Sequence, residues 1–149
     1  MREEWLLCMA AGRTEEGCLY TFEGNDEQED FTRPWLENGP YAPRIEMIVG
    51  DVFELLPAMN LHFDMVFIDA NKRQYADYYE LVMRFLNPGG YILADNTLWD
   101  GHVVEPEYEN DAQTQGIRRF NRLVAADPRV ENVILPLRDG LTVIRHKGI

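Results

Sequence analysis

Short apolar runs alternate with amphipathic segments along most of the chain. The runs with strand character are CLYTFE (18–23), RIEMIVG (44–50), FDMVFIDA (63–70) and YILADN (91–96). Such alternation is typical of βαβ units that build a parallel sheet. Two further apolar runs, VENVILPL and LTVIRHK, flank Arg138, Asp139 and Gly140, which together form a hairpin signal. The pattern therefore predicts an α/β domain that ends in an antiparallel β-hairpin.

Helical character occupies most of the remaining chain. Helices are predicted at 3–11, 26–38, 51–59, 73–86 and 112–126. Pro34 is expected to kink or split the second of these helices. The sequence NPGG (87–90) is a stop-and-turn signal before the fourth strand. The polar, acid-rich stretch 97–111 is longer than most connections in compact domains, and long loops are often functional.

Composition narrows the classes of function. The 149 residues, 46% hydrophobic and 27% charged, predict one globular domain over 1–149. The net charge of −12 disfavours nucleic acid and anionic lipid as partners, because both attract clustered Lys and Arg. No run approaches the ~20 apolar residues of a membrane span, and the amino terminus is a poor signal peptide. Cys8 and Cys18 are expected to be buried free thiols, so a cytoplasmic location is the default.

Oxygen-bearing side chains stand at the ends of two predicted strands. Asp69 closes one strand, and Asp95 and Asn96 close the next. Neighbouring parallel strands end roughly 5 Å apart at one sheet edge, which is where open α/β sheets bind ligands. Three hard oxygen ligands suit Mg²⁺. Each acid taken alone is more typical of a helix cap or turn, so a metal site and structural roles both stay open.

Lys72 and Trp99 follow these strand ends and are further candidates. Lys72 is either a general base or an ordinary solvated lysine in a capping-box-like helix start with Asn71. Trp99 lies in the loop after the second strand end, where a flat wall would suit an aromatic substrate. The tyrosines at 75, 78 and 79 fall at helical spacing and are expected to be core residues.

Two acids of the first half are candidates for binding a nucleotide. Glu23 stands at the tip of the first strand, and this type of acid hydrogen-bonds a ribose hydroxyl in nucleotide-binding α/β folds. Asp51 follows the second strand and either faces the same crevice or caps the next helix. Sequence spacing leaves both alternatives open for Asp51.

Four segments of the chain carry a family resemblance. They are FDMVFIDANKRQYADYYE, LNPGGYILADNTLWDGHV, IRRFNRLVAADPRV and LPLRDGLTVIRHK. Together they resemble the cation-dependent O-methyltransferases, the class I S-adenosylmethionine group that contains caffeoyl-CoA and catechol O-methyltransferases. The resemblance runs from about Leu7 to Lys147, and the signatures FID-x-x-K and ADN-x-L-W-x-G are specific in this order.

The resemblance implies a role for each candidate residue. Lys72 would take a proton from the substrate hydroxyl. The binding residues implied are Asp69, Asp95 and Asn96 for Mg²⁺ or another hard divalent cation, Glu23, Asp51, Val52 and Asp69 for S-adenosyl-L-methionine, and Asn71 and Trp99 for the substrate. The implied reaction is methyl transfer to a small catechol-like molecule with vicinal hydroxyls, and the implied assembly is a homodimer.

Two features depart from the family pattern. Asn71 stands where many relatives have an acid, which is expected to alter either the substrate contact or the groups around the metal ligands without abolishing metal binding. The family's first strand and glycine-rich cofactor turn belong just before LCMAAG, where this chain has MREEW, and none of its 11 glycines forms a G-x-G pair. The predicted fold is therefore a Rossmann-like class I methyltransferase sheet that lacks its first strand and ends in a β-hairpin.

Two alternatives come from other classes. A truncated or non-catalytic methyltransferase-like protein would retain only the metal and dimer surfaces. The strand VFIDANK also resembles the acceptor strand of a phosphoacceptor receiver domain. Such a domain requires an acidic pair at the tip of its first strand and a lysine on a late strand followed by proline. The chain has neither of these features.

Overall fold

A computed structural model describes residues 9, 16–24, 33–34, 38 and 41–148. The chain divides into two compact units, residues 1–60 and 61–149, and each is described by itself. The helices predicted at 3–11 and 26–38 lie almost entirely outside the described residues, and so does MREEW, where the family's first strand is expected. The single domain over 1–149 stays a prediction.

The described part of the first unit includes two parallel strands and a helix. They are β1 (Leu19–Glu23), β2 (Ile45–Val49) and α1 (Val52–Met59), with a 3₁₀ turn at Ala42–Arg44 before β2. Glu23 lies beside Val49 in the parallel register, so both strands end at the same edge. Cys18 precedes β1 and is exposed. Its predicted burial is therefore wrong, because it lies outside the strand; Cys8 lies outside the described residues.

The second unit contains a four-stranded mixed sheet. Its elements are β3 (Phe63–Ile68), a 3₁₀ turn (Lys72–Gln74), α2 (Tyr75–Met83), β4 (Leu86–Asp95), α3 (Ala112–Ala126), β5 (Val130–Leu135) and β6 (Leu141–His146). The strand order is β3-β4-β6-β5, with β3 and β4 parallel and the other pairs antiparallel. The predicted carboxy-terminal hairpin is confirmed. In the described part of the chain, no helix is long and apolar enough to cross a bilayer.

The turn predicted at 87–90 is wrong, because these residues belong to β4. Phe63 pairs with Leu86, whereas Met65 pairs with Tyr91, so β4 carries extra residues opposite β3. Gly89 has a φ of +82°, which glycine adopts without strain. The turn signal therefore produces an irregularity inside a strand and does not end the element.

The core of the second unit includes α2, α3 and the strands of the sheet. Tyr75, Tyr79 and Phe120 are fully buried there, together with Ile92 and Ile144 from the sheet. The ring of Phe120 meets the rings of Tyr75 and Tyr79 edge to face, at centroid distances of 5.5 and 6.0 Å. The prediction that Tyr75 and Tyr79 are core residues is confirmed.

Helix α3 approaches the backbone of the turn at 72–74 closely at Gly116. A Cβ atom added at Gly116 would lie 2.6 Å from the Cα atom of Arg73 and would also overlap the carbonyl group of Lys72. Real Cβ atoms do not come this close to backbone atoms. Glycine at this position therefore lets α3 support the turn that carries Lys72.

The connection between α3 and β5 is organised around Asp127. Its carboxylate accepts hydrogen bonds from the Tyr79 hydroxyl at 2.8 Å and from the Arg129 backbone N–H at 2.8 Å. It also pairs with the Arg129 guanidinium at 2.6 Å, and its side chain is only 5% exposed. These contacts, led by the Arg129 side chain, lower the pKa of Asp127 to about 2.

We expect Asp127→Ala to lower the free energy of unfolding by about 1–3 kcal/mol at pH 7, because the Tyr79 hydroxyl loses its acceptor. The folded-state pKa of Asp127 is about 2, below the ordinary 3.8. The stabilisation from this carboxylate is therefore complete above pH 3.8 and is lost as the pH falls through 2. Urea unfolding at pH 7 measures the loss of stability, and urea unfolding near pH 2 measures how far this loss shrinks when Asp127 is protonated.

The control for this change is Asp77→Ala, which removes an exposed carboxylate paired with Arg119 at 3.3 Å. Such a surface pair contributes about 0–1 kcal/mol. An Asp127→Ala effect no larger than the control, or one that does not shrink as the pH falls, would contradict the structural role given to Asp127.

Candidate functional site

The predicted strand-end residues meet at the carboxyl ends of β3 and β4, which are parallel neighbours. The Nζ atom of Lys72 lies 3.0 Å from Asp69 Oδ1 and 2.8 Å from Asn96 Oδ1. Asp95 is the last residue of β4 and directly precedes Asn96. The structure therefore brings the tips of both strands to a single lysine side chain.

Lys72 is a buried lysine, with only 6% of its surface exposed. Its ammonium group donates to Asp69, to Asn96 and, at 2.5 Å, to the hydroxyl of Tyr75. Burying an ammonium group is costly unless it is paired and hydrogen-bonded, and these three oxygens meet that requirement. The alternative of an ordinary solvated lysine is wrong.

Tyr75 contributes to the site although sequence reasoning assigned it only to the core. Its hydroxyl donates to the Asp95 carbonyl oxygen at 2.8 Å and lies 3.3 Å from the Ile68 carbonyl oxygen. Burial, followed by the charges of Asp69 and Asp95, raises the pKa of Tyr75. The neutral phenol thus links the ends of both strands to Lys72. The i, i+3 spacing of Lys72 and Tyr75 is a signal that could have revealed this contact.

Asn96 adopts a left-handed conformation, with φ at 61°. Asparagine tolerates this conformation better than most residues. Its backbone N–H donates to Asp95 Oδ1 at 2.8 Å, which fixes the turn at the end of β4. The Asn96 side-chain oxygen thereby reaches Lys72.

The donor set at these strand ends fits a hard cation. Asp69 Oδ1 and Asn96 Oδ1 already converge on one positively charged nitrogen, and carboxylate and amide oxygens are the ligands that Mg²⁺ prefers. Among the described residues, no group of three or more His, Cys, Asp or Glu could hold a metal ion. The predicted ligand set has only two such residues, Asp69 and Asp95, and its third member, Asn96, contributes an amide oxygen. Metal binding by this set stays a prediction.

Trp99 lies beside the cluster, with its ring centroid 5.9 Å from Lys72 Nζ. It has a φ of 48° and is followed by Asp100 and Gly101 at 51° and 84°. A positive φ is a genuine outlier for a bulky residue, and such strain persists only where surrounding contacts hold it. The structure places Trp99 where sequence analysis expected it, and its contact with a substrate stays a prediction.

The carboxy-terminal hairpin turn holds the start of this loop. The Thr97 and Leu98 backbone N–H groups donate to the carbonyl oxygens of Gly140 and Asp139 at 3.1 and 2.9 Å. The Asp100 N–H donates to the Asp139 carboxylate. The hairpin was predictable from the residues at 138–140, whereas its contact with the loop carries no local signal.

Asn71 caps the turn that contains Lys72. Its side-chain oxygen accepts from the Arg73 N–H at 3.2 Å, and its amide donates to Gln74 Oε1 at 3.3 Å. The predicted capping role is confirmed, while substrate contact by Asn71 stays a prediction.

The predicted cofactor residues Glu23, Asp51 and Val52 belong to the first unit. The Glu23 carbonyl accepts from the Gly50 N–H at 3.0 Å, which joins the ends of β1 and β2. Asp51 Oδ1 accepts from the Phe53 N–H at 2.8 Å, so the capping alternative for Asp51 is confirmed. Val52 begins α1. Their roles toward a cofactor stay predictions.

The fold matches those of solved O-methyltransferases. The O-methyltransferase from Bacillus cereus, in complex with SAH, superposes with a TM-score of 0.85 at 30% identity, covering 93% of this chain and 67% of that one. TomG from Streptomyces achromogenes, in complex with SAM, gives 0.85 at 28% identity, covering 94% and 66%. The fold is thus that of the Rossmann-like α/β methyltransferases.

Sequence comparisons identify the family. A family model described as O-methyltransferase matches residues 4–147. Caffeoyl-CoA O-methyltransferase 1 of Zea mays is 34% identical over 95% of this chain and 59% of its own length. Tricin synthase 2 of Oryza sativa subsp. japonica is 32% identical over 95% and 52%. The chain belongs to the O-methyltransferase family, as its motifs predicted, and it spans between about half and three fifths of these curated relatives.

Proposed function

We propose that this protein transfers a methyl group from S-adenosyl-L-methionine to one of two vicinal hydroxyls on a small catechol-like molecule. The observation that carries the proposal is the buried ammonium of Lys72, held among Asp69, Asn96 and Tyr75 at the sheet edge. Open α/β sheets bind their ligands at this edge. Relatives named for caffeoyl-CoA and tricin support an aromatic acceptor.

Asp69, Asp95 and Asn96 are the proposed ligands of Mg²⁺ or another hard divalent cation. When bound, the cation supplies Lewis-acid chemistry and a template for two neighbouring oxygens. Support comes from the oxygen-only donor set and from the way Asp69 and Asn96 already share a cationic partner.

Lys72 is the proposed general base. Once the Lys72 ammonium has released a proton to solvent, its amine accepts the proton of the acceptor hydroxyl, and that oxygen attacks the methyl carbon in line. A C–O bond forms as the C–S bond breaks, and the sulfonium leaves as the neutral thioether S-adenosylhomocysteine. Asp69, Asn96 and Tyr75 fix the position of Nζ, and positioning of this kind contributes strongly to catalysis.

The remaining candidate residues are assigned to the methyl acceptor and to S-adenosyl-L-methionine. Trp99 is the proposed wall for the acceptor ring, and Asn71, which is exposed and precedes Lys72 in the chain, is a proposed substrate contact. Glu23 binds the cofactor ribose, Asp51 and Val52 face the adenine, and Asp69 borders the cofactor as well as the metal.

We further propose a cytoplasmic homodimer that acts on a small molecule and not on nucleic acid, which agrees with the net charge of −12.

The proposal is tested first by calorimetric titration with S-adenosyl-L-methionine, with and without Mg²⁺, and then by methylation of catechol. We expect micromolar cofactor binding and catechol-dependent formation of S-adenosylhomocysteine that EDTA abolishes. A folded protein that binds Mg²⁺ but gives no heat with the cofactor would overturn the proposal and favour the non-catalytic alternative.

A further inference from the structure

Arg118 on α3 binds three backbone carbonyls of the loop that follows β4. Its Nη2 atom donates to the carbonyl oxygens of His102 and Glu105 at 2.9 and 2.7 Å, and its Nε atom donates to that of Val103 at 3.0 Å. The planar guanidinium suits several acceptors in one fixed geometry, which a lysine cannot reproduce. One side chain therefore holds the segment 102–105.

The segment 102–105 is tied tightly to Trp99. The His102 N–H donates to the Trp99 carbonyl at 2.8 Å, and the Val104 N–H donates to the Gly101 carbonyl at 3.0 Å. Because these consecutive turns are hydrogen-bonded, the position of Trp99 is coupled to that of the carbonyls that Arg118 binds. A shift of segment 102–105 is therefore transmitted to Trp99.

Trp99 lies between two anchors of the same loop. Asp139 and Gly140 hold residues 97–100 on one side, and Arg118 holds segment 102–105 on the other. The left-handed φ of 48° at Trp99 would relax if either anchor were released, because strain of this kind depends on the contacts around it. The position of its ring centroid, 5.9 Å from Lys72 Nζ, therefore depends on these two backbone anchors of the loop.

We propose that Arg118 is a positioning residue that keeps Trp99 over Lys72 and thereby sets the affinity for the methyl acceptor. The claim that Arg118 sets the affinity for the methyl acceptor rests on the proposed function, in which Trp99 is a wall of the acceptor site. The part that concerns the position of Trp99 is independent of catalysis.

The position of Trp99 is tested by fluorescence in a background where Trp5 and Trp35 are replaced by Phe, so that Trp99 is the only tryptophan. We expect Arg118→Met to raise acrylamide quenching of Trp99 severalfold. Arg119→Met is the matched control, because Arg119 is the next residue of α3 and pairs on the surface with Asp77 at 3.3 Å. Equal quenching in the two variants would overturn the inference.

The acceptor is tested by steady-state kinetics of the same variants. If the productive loop position falls to about one tenth of the population, the acceptor KM rises about tenfold while kcat at saturation is kept. The KM for S-adenosyl-L-methionine should stay unchanged. Arg118→Lys should fold even if the Met variant does not, and we expect it to show the same direction of change, since lysine cannot bind all three carbonyls.

The two readouts separate this inference from the proposed function. Suppose that Arg118→Met increases the quenching of Trp99 but the parent protein transfers no methyl group. This result would overturn the proposed function and would still support the role of Arg118 in positioning Trp99. Increased quenching with an unchanged acceptor KM in an active enzyme would overturn the assignment of acceptor affinity to Arg118.

Discussion

Lys72→Met should lower kcat by about 10²–10⁴-fold, which is the usual contribution of a general base. Methionine keeps an unbranched side chain of similar length at this buried position, while the proposed acceptor of the substrate proton is lost. The affinity for S-adenosyl-L-methionine, measured by calorimetry, should change little. The kcat value at saturating cofactor and acceptor measures the effect.

Arg73→Met is the matched control for Lys72→Met, because it removes the neighbouring positive charge from an exposed position. We expect this control to keep kcat close to that of the parent. If Lys72→Met also retained kcat within a few-fold, solvent would be the proton acceptor and Lys72 would serve only to hold the strand ends together.

Gly116→Ala should lower both stability and turnover. A helix interior gains about 1 kcal/mol from replacing Gly by Ala. Here the new methyl group would overlap the backbone at Lys72 and Arg73, and overpacking of this kind costs about 1–3 kcal/mol or more. If the turn shifts by about 1 Å to relieve the overlap, misplacement of Lys72 can reduce kcat about 10²-fold. Urea unfolding and kcat report the two effects separately.

Gly24→Ala is the matched control for Gly116→Ala, because a Cβ atom added at Gly24 meets none of the described residues within 4 Å. This change should be neutral or slightly stabilising. A Gly116→Ala protein that is more stable than the parent and fully active would show that α3 does not determine the position of the Lys72 turn.

Sequence reasoning predicted the part of the site that follows from local pattern. Asp69, Asp95 and Asn96 end apolar runs, and parallel neighbours necessarily end at the same edge, so their convergence was predictable. The bounds of α3 were predicted without error, since its periodicity is uninterrupted and Asp111 caps it. The same reasoning misjudged 87–90, where strand pairing overrode a strong turn signal.

The contacts that support the site could not be predicted in this way. Arg118 reaches carbonyls 13 to 16 residues away in the chain, and the turn at Asp139 reaches Leu98. Backbone carbonyls carry no sequence signal, so such contacts follow only from the packing of α3 and β6 around the loop. Tyr75 was classified as core because its periodicity is that of a buried helix face. Its i, i+3 spacing from Lys72 could have indicated that contact, but nothing in the periodicity indicates its hydrogen bond to the Asp95 carbonyl.

The ammonium of Lys72 gives the strand-end acid Asp69 an internal counter-ion. With its charge neutralised from within the chain, Asp69 does not need an external cation for the sheet edge to assemble. The second unit is thus expected to differ from small zinc-dependent domains, in which metal binding supplies the folding energy. We then expect a chelating agent to abolish the proposed methyl transfer while leaving the fold of this unit in place.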